Sequence, residues 1–383
     1  MKIRFDKNKM LEKLTRAMSA VSKKNTHPFT EGVLLETVPE GLRISSYDME
    51  KSVRAIVEAE VLIEGGCVIN AQRFLNIIRV MPEDEVTLSV SEDMAASIRS
   101  GRSSFSLHAL AAKDFPAMPN IATKESFTMS QGVLKKMLSA TVHSIAKIDQ
   151  RPILCGAFFK LAADSIKIVT CDSYTLSYCD LKTPILTMIE NLERTSFIVP
   201  GRTIEELLKM LSDDEDAFLT IMVTQKNIIF NMENLVFSSR LVEGEYIDYD
   251  RLIPKEQPIE ITLSSEAFRS ALTRAALISE EKIAGMTKNF VKLSIKEKQL
   301  LVSSKSATGD VEEIIEIFEH KGGDLVLGFN CQYLMETMSV VSSDEIKMTF
   351  KGQTNSITIE PQDAENDAEY VYMILPLRMK EGN

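Results

Sequence analysis

The stretch Phe197 to Leu211, FIVPGRTIEELLKML, recurs at a spacing of 130 residues on either side, and this periodicity constrains the fold more than any other feature of the chain. Pro200 aligns with Asn70 and Asn330, each preceded by a short apolar run: Val68-Ile69, Ile198-Val199 and Leu325 to Phe329. The apolar positions that follow coincide as well: Phe74, Ile204 and Leu334; Ile77, Leu207 and Thr337; Ile78, Leu208 and Met338; Met81, Leu211 and Val341. This is the i, i+3, i+4, i+7 stripe of a half-buried helix, broken only at Thr337. An acidic turn follows each copy (Glu83 to Glu85, Asp213 to Asp216, Asp344-Glu345), and then an extended run (Val86 to Val90, Ala217 to Val223, Ile346 to Phe350). Three copies of a strand-helix-strand unit imply three related domains.

Each third also begins alike, with a strand that feeds an amphipathic helix. Ile3 to Phe5 precede an apolar face of Met10, Leu14, Ala17, Met18 and Val21. Ser126 to Met129 lead through Ser130, a good N-cap, into Leu134, Met137, Leu138, Thr141 and Ile145. Ile259 to Leu263 lead through Ser264 or Ser265 into Phe268, Leu272, Ala275 and Ala276. Elsewhere the pattern alternates with period two in short runs such as Gly41 to Ser45, Val53 to Val57, Ser165 to Thr170, Asn227 to Asn231, Val291 to Ile295 and Ser356 to Ile359. The expected fold is therefore α+β, with each third holding two helices on one face of a mainly antiparallel sheet. Prolines at 116, 119, 254 and 258 mark the joints, giving domains 1–122, 123–253 and 254–383.

No apolar run approaches the ~20 residues of a membrane span, and MKIRFDKNKM lacks the apolar core of a signal peptide, so a cytoplasmic protein is expected. The five cysteines (Cys67, Cys155, Cys171, Cys179, Cys331) form no C-x-x-C pair and read as reduced thiols. Net charge is −11, but it is unevenly spread: basic and acidic residues number 16 and 16 in 1–122, 14 and 18 in 123–253, and 14 and 21 in 254–383. The first helix region is rich in lysine, and Ser126 to Ile148 carries Lys135, Lys136 and Lys147 with no acid. Lysines on a single helix usually form a solvated face, but if the repeated helices face one side, their basic residues would form a weak phosphate-tracking surface on an otherwise acidic protein.

Catalytic signatures are missing. There is no phosphate-binding loop, no dinucleotide fingerprint, no nucleophile elbow and no zinc-binding H-E-x-x-H. The four histidines are dispersed, so neither a metal nor a cofactor is expected.

Several segments, in this order and spacing, make the chain resemble the bacterial DNA sliding clamp, the β subunit of DNA polymerase III. They are SGRSSFSLHALAAKDFP (100–116), RPILCG (151–156), IVTCDSYTLSYC (168–179), the repeated FIVPGRTIEELLKML, LVEGEYIDYDRLIP (241–254), GFNCQYLMETM (328–338) and YVYMILPLRM (370–379). The resemblance implies three tandem DNA-clamp domains and a head-to-tail homodimer that closes as a ring around duplex DNA. It implies a non-catalytic processivity factor, with helices lining the hole. Ring closure would bring Leu277 and Ile278 against Phe105 and Leu107 of the other copy. DNA-facing residues would be Lys24, Arg151 and Arg202, to which the charge pattern adds Lys135, Lys136 and Lys147.

A pocket for short peptides of the polymerase III catalytic subunit, the clamp loader, other polymerases and repair proteins carries over to Leu154, Cys171, Ser173, Tyr174, Thr175, Leu176, Ile247, Arg251, Leu252, Ile283, Asn330, Tyr333, Ile346, Met373, Ile374, Leu375, Pro376, Leu377, Arg378 and Met379. The family's common Gly- or Ser-His-Arg at one pocket wall is here Ser173-Tyr174-Thr175, its usual proline is Ile247, and Lys380 to Asn383 extend past the point where many members end. Two other readings stand beside this one: a metal-assisted hydrolase with carboxylates around Asp172 and Asp248, and a three-repeat scaffold that never touches nucleic acid.

Overall fold

The repeat is reproduced in three dimensions in a computed structural model, which describes residues 1–22, 29–118, 125–183, 186–187, 195–283, 286–307, 309–362 and 368–378. The first helix of each third is α1 (Lys7–Ala17), α3 (Gln131–Thr141) or α6 (Ser265–Ser279). The second is α2 (Ala71–Val80), α4 (Gly201–Met210) or α7 (Cys331–Val340). A single turn, α5 (Tyr249–Leu252), stands apart from the pattern. The second helices begin immediately after Asn70, Pro200 and Asn330, as the alignment requires.

The residue at that junction decides how each helix starts. Asn70 Oδ1 accepts from the amide of Arg73 at 3.0 Å, and Asn330 Oδ1 from that of Gln332 at 3.0 Å, each satisfying an otherwise orphaned helical donor. Pro200 has no capping side chain. Gly201 follows it where an added Cβ would lie 2.7 Å from Ile145 Cγ2 and 3.1 Å from the Cys155 carbonyl, so only glycine permits this close approach.

The acidic turns also acquire a role. The amide of Lys7 donates to the carbonyl of Asp84 (2.7 Å), that of Gly132 to Asp214 (3.3 Å) and that of Ser265 to Asp344 (2.9 Å). Each turn therefore sits at the start of the first helix of its own third, where negative charge complements the helix dipole. Ser130 Oγ accepts from Val133 N and Ser264 Oγ from Ala267 N, so Ser264 is the cap of α6. Two expected helical faces are shorter than the periodicity suggests. After α1 and α3 the chain tightens into the turns Met18–Ala20 and Val142–Ser144, so Val21 and Ile145 lie in extended backbone beyond the helices.

By density of contacts the chain divides into two units rather than at the proline joints. The first comprises Met1–Val133, Leu186–Glu190 and Glu205–Leu241; the second comprises Leu134–Ile185, Asn191–Ile204 and Val242–Asn383. The first unit holds a five-stranded antiparallel sheet in the order Ala59–Ile63, Lys2–Asp6, Glu85–Val90, Ala95–Ser100, Ser103–His108. It also holds a ten-stranded sheet in which Lys51–Val57 from the first third pairs with Leu235–Arg240 from the second. In the second unit a nine-stranded sheet is joined in the same way, Thr175–Lys182 pairing with Ala368–Ile374. A further sheet there runs Glu280–Ile283, Met286–Lys296, Gln299–Ser306, Gly309–Glu316, with Leu325–Asn330 added beside Met286–Lys296. Sheets that run through the joints explain why contacts do not separate at the prolines.

Thr337, the one break in the repeated stripe, is as buried as Leu207 at the same place in the central repeat and more so than half-buried Ile77. Its Oγ1 lies 3.5 Å from Nε2 of His143, which also meets Ser177 Oγ at 3.2 Å, and the imidazole packs on Tyr372 with centroids 5.8 Å apart. Burial pulls the His143 pKa from 6.5 down to about 4. The folded protein thus keeps this imidazole neutral, while the unfolded chain takes up a proton as pH falls below 6.5. Stability should therefore fall between pH 6.5 and 4, with ~3 kcal/mol from this group at the acid end. Urea unfolding of the protein and of His143→Phe at pH 7 and pH 4.5 checks this: the acid loss should be smaller in the variant by that order.

Candidate peptide-binding pocket

The strand Ala368–Ile374 serves two cores. Tyr372 and Ile374 point into the main core of the last third, with Phe268, Phe329, Leu334 and Ile346. Val371 and Met373, on the opposite face, join a smaller cluster with Leu154, Val169, Cys171, Leu176, Tyr178 and Tyr249, against which Ile153, Phe158, Tyr246 and Ile247 pack. Period-two alternation in one strand accounts for the division. The smaller cluster gathers Leu154, Cys171, Leu176, Ile247 and Met373, five of the residues expected in the pocket, from segments up to about two hundred positions apart.

These five come from different elements. Leu154 sits in the helical turn Pro152–Cys155, Cys171 and Leu176 end the two arms of the hairpin Ser165–Cys171 and Thr175–Lys182, and Ile247 precedes α5. Leu154, Cys171, Leu176 and Met373 are nearly sealed from solvent and form a floor. Tyr174, Leu252, Leu375 and Leu377 are exposed, and Leu375 is bonded to Tyr174 backbone to backbone. Burial pushes the Cys171 thiol pKa up, and that of the neighbouring Tyr249 phenol to about 12, so both stay neutral.

The hairpin tip is held from several sides. Asp172 Oδ1 accepts from the amides of Tyr174 (2.9 Å) and Thr175 (2.7 Å) and from Thr175 Oγ1 (3.1 Å). Ser173 adopts φ +80°, a left-handed conformation that this cap sustains. Its hydroxyl accepts from Arg151 Nη2 at 2.6 Å, and Arg151 is also bonded to Asp149 through Nε at 3.0 Å. The pairing with Asp149 raises the Arg151 pKa and holds the Asp149 carboxyl below its usual range. The Tyr174 ring stacks on Tyr333 of α7, with centroids 5.8 Å apart and planes at 20°. The Tyr174 carbonyl accepts from Leu375 N at 2.9 Å, and Leu377 N donates to Gly328 O at 2.8 Å, so the end of the chain runs along this rim.

Ile346 and Ile374 are fully buried and join the main core of the last third rather than the smaller cluster, because alternation turns both side chains to that side. Thr175 is likewise buried and bonded to Ser144 Oγ, whereas Asn330 caps α7 at the pocket's margin. Pro376 is half-buried between exposed Leu375 and Leu377. Arg251, paired with Asp248 at 2.9 Å, and Arg378 are exposed. Only the backbone of Ile283 is described, and Met379 and Lys24 lie outside the described residues. Tyr246, stacked on Phe158 with centroids 4.9 Å apart, belongs to the cluster although the sequence reading passed over it; its signal was the aromatic pair flanking Ile247.

Of the residues expected at DNA, Arg151 is committed to Asp149 and Ser173, Lys136, Lys147 and Arg202 are exposed, and Lys135 is half-buried. At the expected subunit contact, Ser103–His108 is an edge strand that carries exposed Phe105 and half-buried Leu107. Leu277, 80% exposed, and half-buried Ile278 close α6. Gly309–Glu316 is another edge strand, and Gly309 lies close to Ile278; its exposed Ile314 is signalled by an apolar residue in phase with Asp310, Glu312 and Glu316.

Three repeated α+β units that share sheets, with no catalytic constellation among the described residues, define a DNA-clamp fold. The chain belongs to the DNA polymerase III β subunit family: its N-terminal, central and C-terminal domain descriptions match residues 1–119, 128–248 and 250–378. It is 29% identical to the β sliding clamp of Bacillus subtilis over 99% of this chain and all of that protein. It is 28% identical to the Escherichia coli K12 clamp with the same coverage. The crystal structure of the B. subtilis DNA polymerase sliding clamp superposes with a TM-score of 0.91 at 27% identity, covering 99% of this chain and 100% of that one. Nothing in these likenesses favours the hydrolase reading, and both of its carboxylates have structural partners: Asp172 caps the hairpin and Asp248 holds Arg251.

If Asp172 is a cap rather than a reactive group, the shape of its substitution series follows. Asp172→Ala, which removes three acceptor contacts, should cost about 2 kcal/mol in urea unfolding. Asp172→Asn, which keeps one acceptor oxygen, should cost less than about 1 kcal/mol.

Proposed function

We propose that the chain acts as a DNA sliding clamp in which two copies close head to tail around duplex DNA and hold partner proteins through the pocket on its second unit. The buried apolar cluster of Leu154, Leu176 and Met373, in the same unit as exposed Tyr174, Leu252, Leu375 and Leu377, is the observation that carries this reading. Sealed apolar floors with exposed apolar rims suit a short hydrophobic peptide with a polar start. The partners are the polymerase III catalytic subunit, the clamp loader, and other polymerases and repair proteins competing for one site. The domain division 1–122, 123–253 and 254–383 belongs to the same proposal.

Two edge strands support ring closure. Ser103–His108 and Gly309–Glu316 each pair on one side only among the described residues, and each carries an exposed apolar side chain, Phe105 and Ile314. Joining such edges between copies removes unpaired backbone groups from solvent. Contact with DNA is sequence-independent and weak, through Lys135, Lys136, Lys147 and Arg202, with Lys24 added from the family pattern; a net charge of −11 keeps the rest of the surface from binding phosphate. No helix among the described residues is long and apolar enough to cross a membrane, and the proposed location is the cytoplasm, where the chromosome is replicated.

The solution mass should be near twice 42.9 kDa. Clamp loaded on nicked circular DNA should be released when the circle is cut, and equal retention on linear DNA with free ends would reject topological binding. Leu176→Ala with Met379→Ala should abolish peptide binding in fluorescence polarisation while the dimer mass is unchanged. Neutralising Lys135 and Lys136 should weaken DNA contact and its salt dependence before any substitution in the last third does so.

A further inference from the structure

The hairpin tip that carries Tyr174 has a counterpart in the first unit, where Lys51–Val57 pairs with Leu235–Arg240. Asp48 Oδ1 accepts from the amides of Glu50 (3.0 Å) and Lys51 (2.6 Å), and Met49 adopts φ +76° where Ser173 adopts +80°. The Glu50 carbonyl accepts from Arg240 N at 3.0 Å, as that of Tyr174 does from Leu375 N. Register then sets the two joints residue against residue. The rows Cys171–Leu176–Met373 and Val169–Tyr178–Val371 correspond to Tyr47–Ser52–Ser238 and Ser45–Arg54–Val236. The apolar base of one joint is a polar base at the other.

These residues face away from α1, because Ser46, on the opposite face of its strand, donates to the Ala17 carbonyl at 2.7 Å. Ser52 Oγ and Ser238 Oγ lie 2.6 Å apart. Arg54, half-buried in the next row, makes no hydrogen bond or ion pair among the described residues. The Oγ of its cross-strand neighbour Ser45, a fully buried residue, has no hydrogen-bond partner there either. Burial and then the Arg43 charge lower the Arg54 pKa; Glu36 opposes them but is itself bonded to Arg43 at 2.9 Å. The other acids of these strands are Asp48, which caps the tip, and exposed Glu50. Leu34, paired with Ser45, begins an adjoining apolar cluster with Tyr47, Val68 and Phe115. A half-buried guanidinium and a buried hydroxyl left without partners both cost free energy that an incoming anion would recover.

We propose that this joint is a second docking site and that it takes an acidic segment of a partner protein, with a carboxylate on Arg54 beside the serine hydroxyls and a neighbouring apolar side chain on the Leu34–Tyr47 cluster. A planar guanidinium holds a carboxylate through two parallel bonds, and hydroxyls can donate to its remaining lone pairs. Charge selects an anionic ligand, and the adjoining cluster selects one that alternates acidic with apolar residues. The face is opposite α1, apart from the helical surface proposed for DNA. The site also stands without the pocket of Leu154, Leu176 and Met373, since the residues that build it lie wholly in the first unit.

The test uses the full-length protein and three labelled nine-residue peptides: one that alternates Glu with Leu or Phe, a copy with Gln for Glu, and a copy with Ala for Leu and Phe. Fluorescence polarisation should show the Glu peptide binding about tenfold tighter than the Gln peptide, with a preference that shrinks as salt rises. Arg54→Gln, checked for folding by its thermal transition, should bring the ratio below about threefold. Arg54→Lys, a milder change, should leave an intermediate ratio, because an ammonium cannot make the paired bonds. Leu176→Ala should leave the ratio as it is in the parent. Equal binding of the Glu and Gln peptides to the parent overturns the inference, as does a ratio that neither Arg54 variant changes. Loss of the ratio in Leu176→Ala would place the acidic peptide in the other pocket and overturn it too. A Glu peptide that binds as well with Ala for Leu and Phe, and that millimolar inorganic phosphate displaces, would mark a simple anion site and reject the partner segment.

Discussion

Pairing of strands across the repeats is the interaction on which the remaining structure depends. Lys51–Val57 against Leu235–Arg240, and Thr175–Lys182 against Ala368–Ile374, turn three separate sequence units into continuous sheets. Each such ladder satisfies backbone donors and acceptors that an isolated third would leave at a sheet edge. The second ladder also sets the register that brings Met373 beside Leu176, so the smaller apolar cluster, the floor of the proposed pocket, forms only because two thirds share a sheet. Cooperativity is expected to follow the sheets rather than the proline joints, since unfolding one third would expose an edge of the next.

Much of this was legible in the residues, and the exceptions have physical causes. The spacing between Asn70, Pro200 and Asn330 located three helices to the residue, because a repeated stripe with a repeated start signal leaves few alternatives. Pairing between thirds was not legible: period-two alternation reports which face of a strand is buried, not which strand lies next to it. The same limit explains Ile346 and Ile374, apolar residues in pocket-forming segments whose alternation sends them to the other core. Thr337 looked like a flaw in a stripe and is instead half of a polar contact, made intelligible only by His143, far away in sequence. The acidic turns were legible only as turns; their carbonyls at the starts of α1, α3 and α6 depend on a return of the chain that no local pattern encodes.

Membership of the clamp family settles what kind of molecule this is, while the chain's own residues shape the pocket. Ser173 in a left-handed conformation, capped by Asp172 and tied to Arg151, makes the hairpin tip a rigid mount for Tyr174. A rigid mount favours discrimination, because a bound side chain meets a surface that does not rearrange to suit it.

The double duty of Ala368–Ile374 has a consequence for inhibition. A small molecule seated on Leu154, Leu176 and Met373 would press on side chains that also seal a hydrophobic cluster, next to a strand whose other face, at Tyr372 and Ile374, completes a second core. Replacements there cost folding as well as affinity. If this is the proposed partner site, resistance would have to arise at the exposed Tyr174, Leu375 or Arg378, where the same changes would alter which partners are bound.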